Sequence, residues 1–201
     1  MKVCIVGAGA IGGLLGTRLA QSGINVSALA RGATAAALRE HGFRLQTADG
    51  LATAPVTVVE GAATPGPQDL VVVAVKGPSL RAVAPAVAAL SDERTVVLTA
   101  MNGVPWWFFD GLGGTYEGTR LATVDPDGAI AAAIPRERVV GAVVHLACSA
   151  PAPGLVRHGV GNRLIVGEPA GGTSARVERI AAMFRSARFD VDVSPRIQAD
   201  I

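Results

Sequence analysis

The sequence contains little of several residue types that common classes of functional site require. Cysteine occurs only at Cys4 and Cys148, and lysine only at Lys2 and Lys76 among 18 basic residues. Two cysteines so far apart offer neither a disulfide framework nor metal-ligand spacing, so we expect free, buried thiols and no metal site. Free thiols are typical of a reducing compartment, which indicates the cytoplasm.

Charge and long apolar runs are also scarce. The formal net charge is +2 and the basic residues are scattered, which disfavours nucleic acid or a membrane surface as a partner. The apolar stretch at residues 139–150 contains His145 and is too short to cross a bilayer. Because 50% of the 201 residues are hydrophobic, we expect one well-buried domain rather than disorder.

What the sequence does contain is a glycine-rich turn between two strands. Residues 2–6 are a short apolar run of strand length, residues 14–21 have helical spacing with Gly23 as the stop, and residues 25–30 form a second strand. The turn between the first strand and the helix has the pattern G-x-G-x-x-G and consists of Gly7, Ala8, Gly9, Ala10, Ile11 and Gly12. This context predicts a dinucleotide-binding site. A signal peptide is the competing interpretation, and five glycines make a poor apolar core for one.

Each glycine of the turn has a separate task in such a site. Gly7 permits the tight turn out of the strand, Gly9 lets a pyrophosphate approach the backbone, and Gly12 lets the helix pack close to the sheet. The free N–H groups at the start of the helix then face the phosphates.

The end of the second strand indicates which dinucleotide binds. An NAD site places Asp or Glu about 20 residues after the glycines, whereas the first carboxylate in this chain is Glu40. The strand instead ends at Arg31, whose guanidinium can donate two parallel hydrogen bonds to a 2′-phosphate. We therefore predict NADP(H) as the cofactor, although an arginine that only solvates a strand end would have the same sequence.

Strands and helices alternate through the first half of the chain, which predicts a doubly wound, mostly parallel α/β sheet. We predict helices at 34–41 and 79–90, a loop at 61–68, and strands at 43–47, 55–59, 69–75 and 94–100. Lys76 and Asn102-Gly103 both follow strands, at the edge where ligands collect.

The second half has a different pattern, which predicts an added β-meander. We expect a short helix at 126–134, strands at 138–147, 154–157 and 163–166, a helix at 173–187, a strand at 191–193 and the opening of a helix at 197–201.

Together these residues resemble the ketopantoate reductase family (2-dehydropantoate 2-reductases). The matching positions follow the family's order over nearly the whole chain and comprise Gly7 to Gly12, Arg31, Val75-Lys76, Asn102-Gly103, Asp125-Pro126-Asp127-Gly128 and Gly167-Glu168-Pro169. The resemblance implies an NADPH-dependent reductase of 2-dehydropantoate, a small 2-oxo acid, in pantothenate biosynthesis. It places Lys76 and Asn102 near the nicotinamide as catalytic candidates, and it gives Val124 a backbone contact to the cofactor.

The resemblance also implies a second, all-helical domain that this chain lacks. Residues 1–196 would be the NADP-binding domain and residues 197–201 the start of the helical substrate and dimerisation domain, which allows a homodimer of the full-length protein. The family's main catalytic lysine is expected beyond Ile201. We therefore expect the 201 residues alone to bind the cofactor but not to reduce a substrate.

Other interpretations remain open at this point. The chain could be a non-catalytic NADP-binding protein or sensor, or a reductase of the same family with another substrate. Lys76 could be a solvated loop residue, and Asn102 could belong to an ordinary turn. We expect Glu168 and the three histidines to be structural. The aromatic residues 106–109 would line the cleft mouth or pack against the helical domain.

Overall fold

The computed structural model describes residues 1–60 and 65–201, so the predicted loop at 61–68 lies partly outside the described residues. The strands are β1 (Lys2–Val6), β2 (Asn25–Leu29), β3 (Phe43–Thr47), β4 (Gly50–Ala54), β5 (Thr57–Val59), β6 (Leu70–Val73), β7 (Val96–Ala100), β8 (Val139–Ala152), β9 (Leu155–Gly167) and β10 (Asp190–Ser194). The α-helices are α1 (Ala10–Gln21), α2 (Gly32–His41), α3 (Gly77–Ala89), α4 (Ala129–Ala133) and α5 (Ala175–Ser186).

All of these strands belong to one sheet. Its main path has the order β4-β3-β9-β8-β7-β6-β1-β2-β5, and β10 pairs with β9. Among the described pairs, β3–β4 and β8–β9 are antiparallel, and the others are parallel. Helices connect β1 to β2 and β6 to β7, as in a Rossmann-type fold. The predicted fold class is confirmed.

The C-terminal half differs from a simple meander. The predicted strands at 154–157 and 163–166 are parts of one long strand, β9, which forms an antiparallel hairpin with β8. Register shifts in the pairing accommodate the glycine-rich stretch between the two predicted strands. Strand β10 pairs with β9 in parallel because α5 carries the chain back along the sheet. Strand β4, which the sequence pattern does not predict, pairs with β3.

The sheet is covered on both faces, which explains why its central strands are almost continuously apolar. In β1, Val3 and Ile5 pack on the face that carries α1 and α5, whereas Cys4 and Val6 pack on the face that carries α3. All four side chains are fully buried. No helix in the described parts of the chain has the length and hydropathy that crossing a bilayer requires.

Helix α1 packs unusually close to its neighbours because of its glycines. A Cβ atom at Gly13 would lie 2.5 Å from the Val156 side chain, and one at Gly16 would lie 2.5 Å from the Phe43 ring. These contacts join α1 to β9 and β3, in addition to β1 and β2. The sheet therefore curls around α1, and the start of this helix is held from several sides.

The connection from β7 to β8 contains the aromatic residues 106–109. Trp106 and Trp107 are 5% and 1% exposed and belong to the core on the α3 face. The Trp107 ring lies so close to Gly141 that a Cβ there would be 2.6 Å from it. Both predicted locations are therefore wrong for the tryptophans, because their side chains are buried in the core of this domain. Phe108 and Phe109 are half-buried, with ring centroids 5.2 Å apart.

Candidate cofactor-binding site

Four of the predicted site positions lie along one edge of the sheet. Strands β7, β6, β1 and β2 are consecutive parallel neighbours. The segments that leave their carboxyl ends contain, in the same order, Asn102, Lys76, Gly7 and Arg31. Neighbouring strands are about 4.8 Å apart, so these residues share one edge. Ligands of doubly wound sheets bind in the crevice outside this edge.

The glycine turn has the conformation that an anion-binding turn requires. Gly7 has a φ of +95°, which favours glycine, and Gly9 precedes α1 in an extended conformation with no side-chain cap. A Cβ atom at Gly9 would meet nothing within 4 Å, whereas a Cβ atom at Gly12 would collide with the Gly7 carbonyl oxygen. The N–H groups of the first turn of α1 have no intrahelical acceptor. The turn therefore presents free donors beside an open space, which suits a pyrophosphate.

Arg31 lies where a residue that reads the adenosine ribose would be. It follows β2, precedes α2 with its backbone extended, and makes no side-chain hydrogen bond to that helix. The side chain is exposed at the edge that carries the glycine turn. A guanidinium in this position can donate two parallel hydrogen bonds to a phosphate.

Glu60, a carboxylate that the sequence pattern does not connect with Arg31, follows the strand that neighbours β2. Val59 of β5 is the register partner of Leu29, and it accepts a hydrogen bond from the Ala30 N–H at 3.2 Å. Glu60, the next residue, therefore lies beside Ala30, one position before Arg31. The Glu60 carboxylate is bound by Arg39 of α2, with Nη2 and Oε2 2.5 Å apart. Because β5 is distant from Arg31 in sequence, only the strand pairing reveals this neighbour.

Lys76 is exposed immediately before α3. Its backbone is extended, its carbonyl accepts a hydrogen bond from the Ser79 N–H at 2.8 Å, and its side chain does not cap the helix. The ammonium group is thus available at the edge between β6 and β7. The predicted roles of Lys76 stay predictions.

Asn102 has a structural task that its sequence context does not predict. Its side-chain Nδ2 donates to the Val144 carbonyl at 3.1 Å, and its Oδ1 accepts from the Val144 N–H at 3.0 Å. The side chain thereby extends the pairing of β7 with β8 by one step beyond Ala100 and Ala142. One N–H and one lone pair of the amide remain for a ligand. Its predicted contact with nicotinamide and substrate stays a prediction.

Val124 lies in the turn that precedes α4. Its N–H already donates to the Leu121 carbonyl at 2.9 Å, so any backbone contact to a cofactor would use its carbonyl oxygen. The turn is fixed by Asp125, which accepts from the N–H groups of Ile130 and Ala131. Asp127 binds Arg81 of α3 through two hydrogen bonds, which lowers the pKa of Asp127.

Comparison with known proteins identifies the family to which the chain belongs. The family model described as "Ketopantoate reductase PanE/ApbA" matches residues 3–106, which is more than half of the chain. The chain belongs to this family. A 2-dehydropantoate 2-reductase of Mesorhizobium japonicum is 44% identical over the whole chain, which covers 62% of that protein.

Solved structures agree with the ketopantoate reductase assignment. A Ralstonia solanacearum protein, assigned only provisionally as a ketopantoate reductase, has a TM-score of 0.96 and 53% identity over 99% of this chain and 62% of its own. A 2-dehydropantoate 2-reductase of Geobacter metallireducens has a TM-score of 0.78 and 30% identity, and the match covers 97% of this chain and 58% of its own. The chain thus spans about three fifths of the length of these relatives.

Glu168 of this family member stabilises the domain, as expected. Its carboxylate binds Arg176 through two hydrogen bonds of 2.7 and 2.5 Å and accepts another from Ser174. Burial raises the pKa of Glu168, but the hydrogen bonds from Arg176 and Ser174 outweigh it, so the pKa lies below its usual value. Arg176 also donates to the carbonyls of Glu137 and Val139, which ties the start of α5 to the start of β8.

The cysteines do not contribute to the edge site. Cys4 is buried within β1, and burial raises the pKa of its thiol. Cys148 lies on β8, and partial burial raises its pKa as well. Thiols with raised pKa values are poor nucleophiles at neutral pH. In the described ranges, no three His, Cys, Asp or Glu side chains converge as metal ligands would.

Proposed function

We propose that this chain is the cofactor-binding part of an NADPH-dependent reductase that acts on 2-dehydropantoate or a similar 2-oxo acid. The single observation that carries the choice of NADPH is the exposed arginine that follows β2, and the Glu60 carboxylate at the end of the neighbouring strand is bound by Arg39. The similarity to the Mesorhizobium 2-dehydropantoate 2-reductase supports the substrate class.

The residues of the glycine turn fit the pyrophosphate of a nicotinamide dinucleotide. The space beside Gly9 is one that a Cβ would fill, and the free N–H groups of Ala10 and Ile11 lie at the positive end of the α1 dipole. When bound, the cofactor supplies a hydride for the keto carbon of the substrate. In the proposed complex the glycine turn holds the phosphates of the cofactor.

The other edge residues would position the two reactants. Arg31 would hold the 2′-phosphate of the adenosine through its guanidinium. Lys76 and Asn102 follow β6 and β7, on the other side of β1 from Arg31, so they would lie toward the nicotinamide. An ammonium there would attract the carboxylate of a 2-oxo acid, and the unused N–H of Asn102 could donate to the nicotinamide or the substrate.

Titration with both cofactors tests the proposal. The 201-residue chain should bind NADPH at least about tenfold more tightly than NADH in a fluorescence titration, or ~1.4 kcal/mol. Arg31→Ala should remove most of this preference by weakening NADPH alone. Arg94→Ala is a matched control, because Arg94 is an arginine with a side chain 88% exposed, before β7 at the opposite edge of the sheet.

Two results would contradict the proposal. Equal affinity of the wild-type chain for NADPH and NADH would remove the selectivity on which it rests. An Arg31→Ala variant that keeps the full preference would show that another group reads the 2′-phosphate.

A further inference from the structure

The backbone of Glu60 lies next to the end of β2, the strand end at which an acidic residue binds the ribose in NAD sites. It lies beside Ala30 at the carboxyl end of the sheet, because its predecessor Val59 is paired with Leu29. A carboxylate at the end of β2 accepts hydrogen bonds from ribose hydroxyls in NAD sites, and Glu60 is one strand away from that position. The same charge would repel the 2′-phosphate of NADP.

Arg39 holds this carboxylate from the side of α2. The two charged groups are 2.5 Å apart, and their side chains are partly exposed (52% for Arg39 and 36% for Glu60). Arg39 lies in the last turn of α2, whereas Arg31 directly precedes the first turn of the same helix. One helix therefore carries the arginine that faces the cofactor edge and the arginine that binds the neighbouring carboxylate.

We propose that Arg39 is a specificity-determining residue that acts through Glu60. By pairing with the carboxylate, Arg39 neutralises it and directs it toward α2, so that the place beside Arg31 accepts a 2′-phosphate. Without Arg39, Glu60 would act as the acidic residue of an NAD site. This inference rests on the proposed use of NADPH, and it assigns to the pair an effect on cofactor choice rather than on the stability of the fold.

The expected effect is moderate because the pair is partly exposed. If the Glu60 carboxylate and a 2′-phosphate are roughly 8 Å apart, Coulomb's law with an effective dielectric constant of about 40 gives a change in NADPH affinity of about fivefold. The effect should shrink at high salt, since the Debye length is only about 3 Å at 1 M. A partly exposed ion pair contributes little to stability, so the variants should fold.

A double-mutant cycle on cofactor affinity tests the inference. The dissociation constants of NADPH and NADH are measured by fluorescence titration at low salt for wild type, Arg39→Ala, Glu60→Gln and the double variant. Arg39→Ala should weaken NADPH about fivefold and leave NADH unchanged or tighter. Glu60→Gln should not weaken NADPH, and the double variant should bind NADPH as wild type does. Arg94→Ala again serves as the control for loss of one positive charge.

The outcomes separate this inference from the proposed function. If wild type prefers NADPH but Arg39→Ala keeps the full preference, the role of Arg39 is refuted while the proposed function stands. If the double variant binds NADPH as weakly as Arg39→Ala, Arg39 contacts the phosphate itself and the action through Glu60 is refuted. If wild type shows no preference for NADPH and Glu60→Gln weakens NADH, both the proposed function and the inference fail.

Discussion

Replacing glycine by alanine should affect different properties at two positions of the same turn, Gly9 and Gly12. A Cβ at Gly9 meets no atom within 4 Å, and the extended backbone there is allowed for alanine. A Cβ at Gly12 would collide with the Gly7 carbonyl and lie 2.9 Å from the Ile5 side chain. The added methyl group should therefore affect ligand binding at Gly9 and folding at Gly12.

The magnitudes follow from what each methyl group would touch. At Gly9 it would stand between the backbone N–H groups and a phosphate, so we expect NADPH affinity to fall at least about tenfold, or ~1.4 kcal/mol. At Gly12 overpacking against backbone costs about 3 kcal/mol, and the better helix propensity of alanine returns up to about 1 kcal/mol. A net loss of about 2 kcal/mol lowers the Tm by roughly 4–8 °C for a domain of this size.

The assay combines thermal unfolding without ligand and NADPH titration below the unfolding range. Gly9→Ala should have the wild-type Tm and a lower affinity for NADPH. Gly12→Ala should have a lower Tm than wild type. A Gly9→Ala variant that binds NADPH as tightly as wild type would show that the cofactor does not use the open space beside Gly9. A Gly12→Ala variant that unfolds at the wild-type temperature would show that the close approach of Gly12 to Gly7 is relaxed at no cost.

Three further variants test the domain and its site. Glu168→Gln should lower the free energy of unfolding in urea by about 2–4 kcal/mol at pH 7, because it leaves Arg176 without its buried partner. Since the pKa of Glu168 is depressed in the folded state, its contribution is complete above the unfolded pKa of about 4.3 and is lost as the pH falls through the folded pKa. The difference between wild type and Glu168→Gln should therefore shrink below about pH 4. Asn102→Asp should cost about 1–3 kcal/mol in the same assay, because a carboxylate oxygen would replace the donor to the Val144 carbonyl. In an assay with ketopantoate the 201-residue chain should bind NADPH without oxidising it, and steady turnover that Lys76→Ala abolishes would contradict this expectation and identify Lys76 as the acid.

The β1–α1–β2 unit could be predicted from sequence because its signals are local. The apolar strand, the glycine turn and the helix follow one another within the first thirty residues, and the structure places them as predicted. The helix begins at Ala10, four residues before its apolar spacing becomes recognisable at residue 14. Strand β6 likewise lies within the predicted strand at 69–75, and its side chains from Leu70 to Val73 are fully buried.

Features that depend on distant pairing could not be predicted in the same way. Glycines at 159 and 161 look like turn residues, yet they lie within β9 because its partner β8 supplies the matching irregularities. Trp107 could not be placed from sequence because the cavity that it fills is made by Gly141, on a later strand. Glu60 and the amide of Asn102 have the same limitation, since their partners come from α2 and β8.

The curl of the sheet explains why the glycine turn can be a rigid anion site without any side-chain ligand. Strand β9 pairs with β8, β3 and β10, and both β3 and β9 pack against α1. Phe43 and Val156 fill the places that side chains at Gly16 and Gly13 would occupy, while Gly12 closes on the backbone of Gly7. The N-terminal half of α1 is thereby held between the backbone of Gly7 and the side chains of Phe43 and Val156. Donors held in this way need no reorganisation when an anion binds, which is the property that a phosphate-binding turn requires.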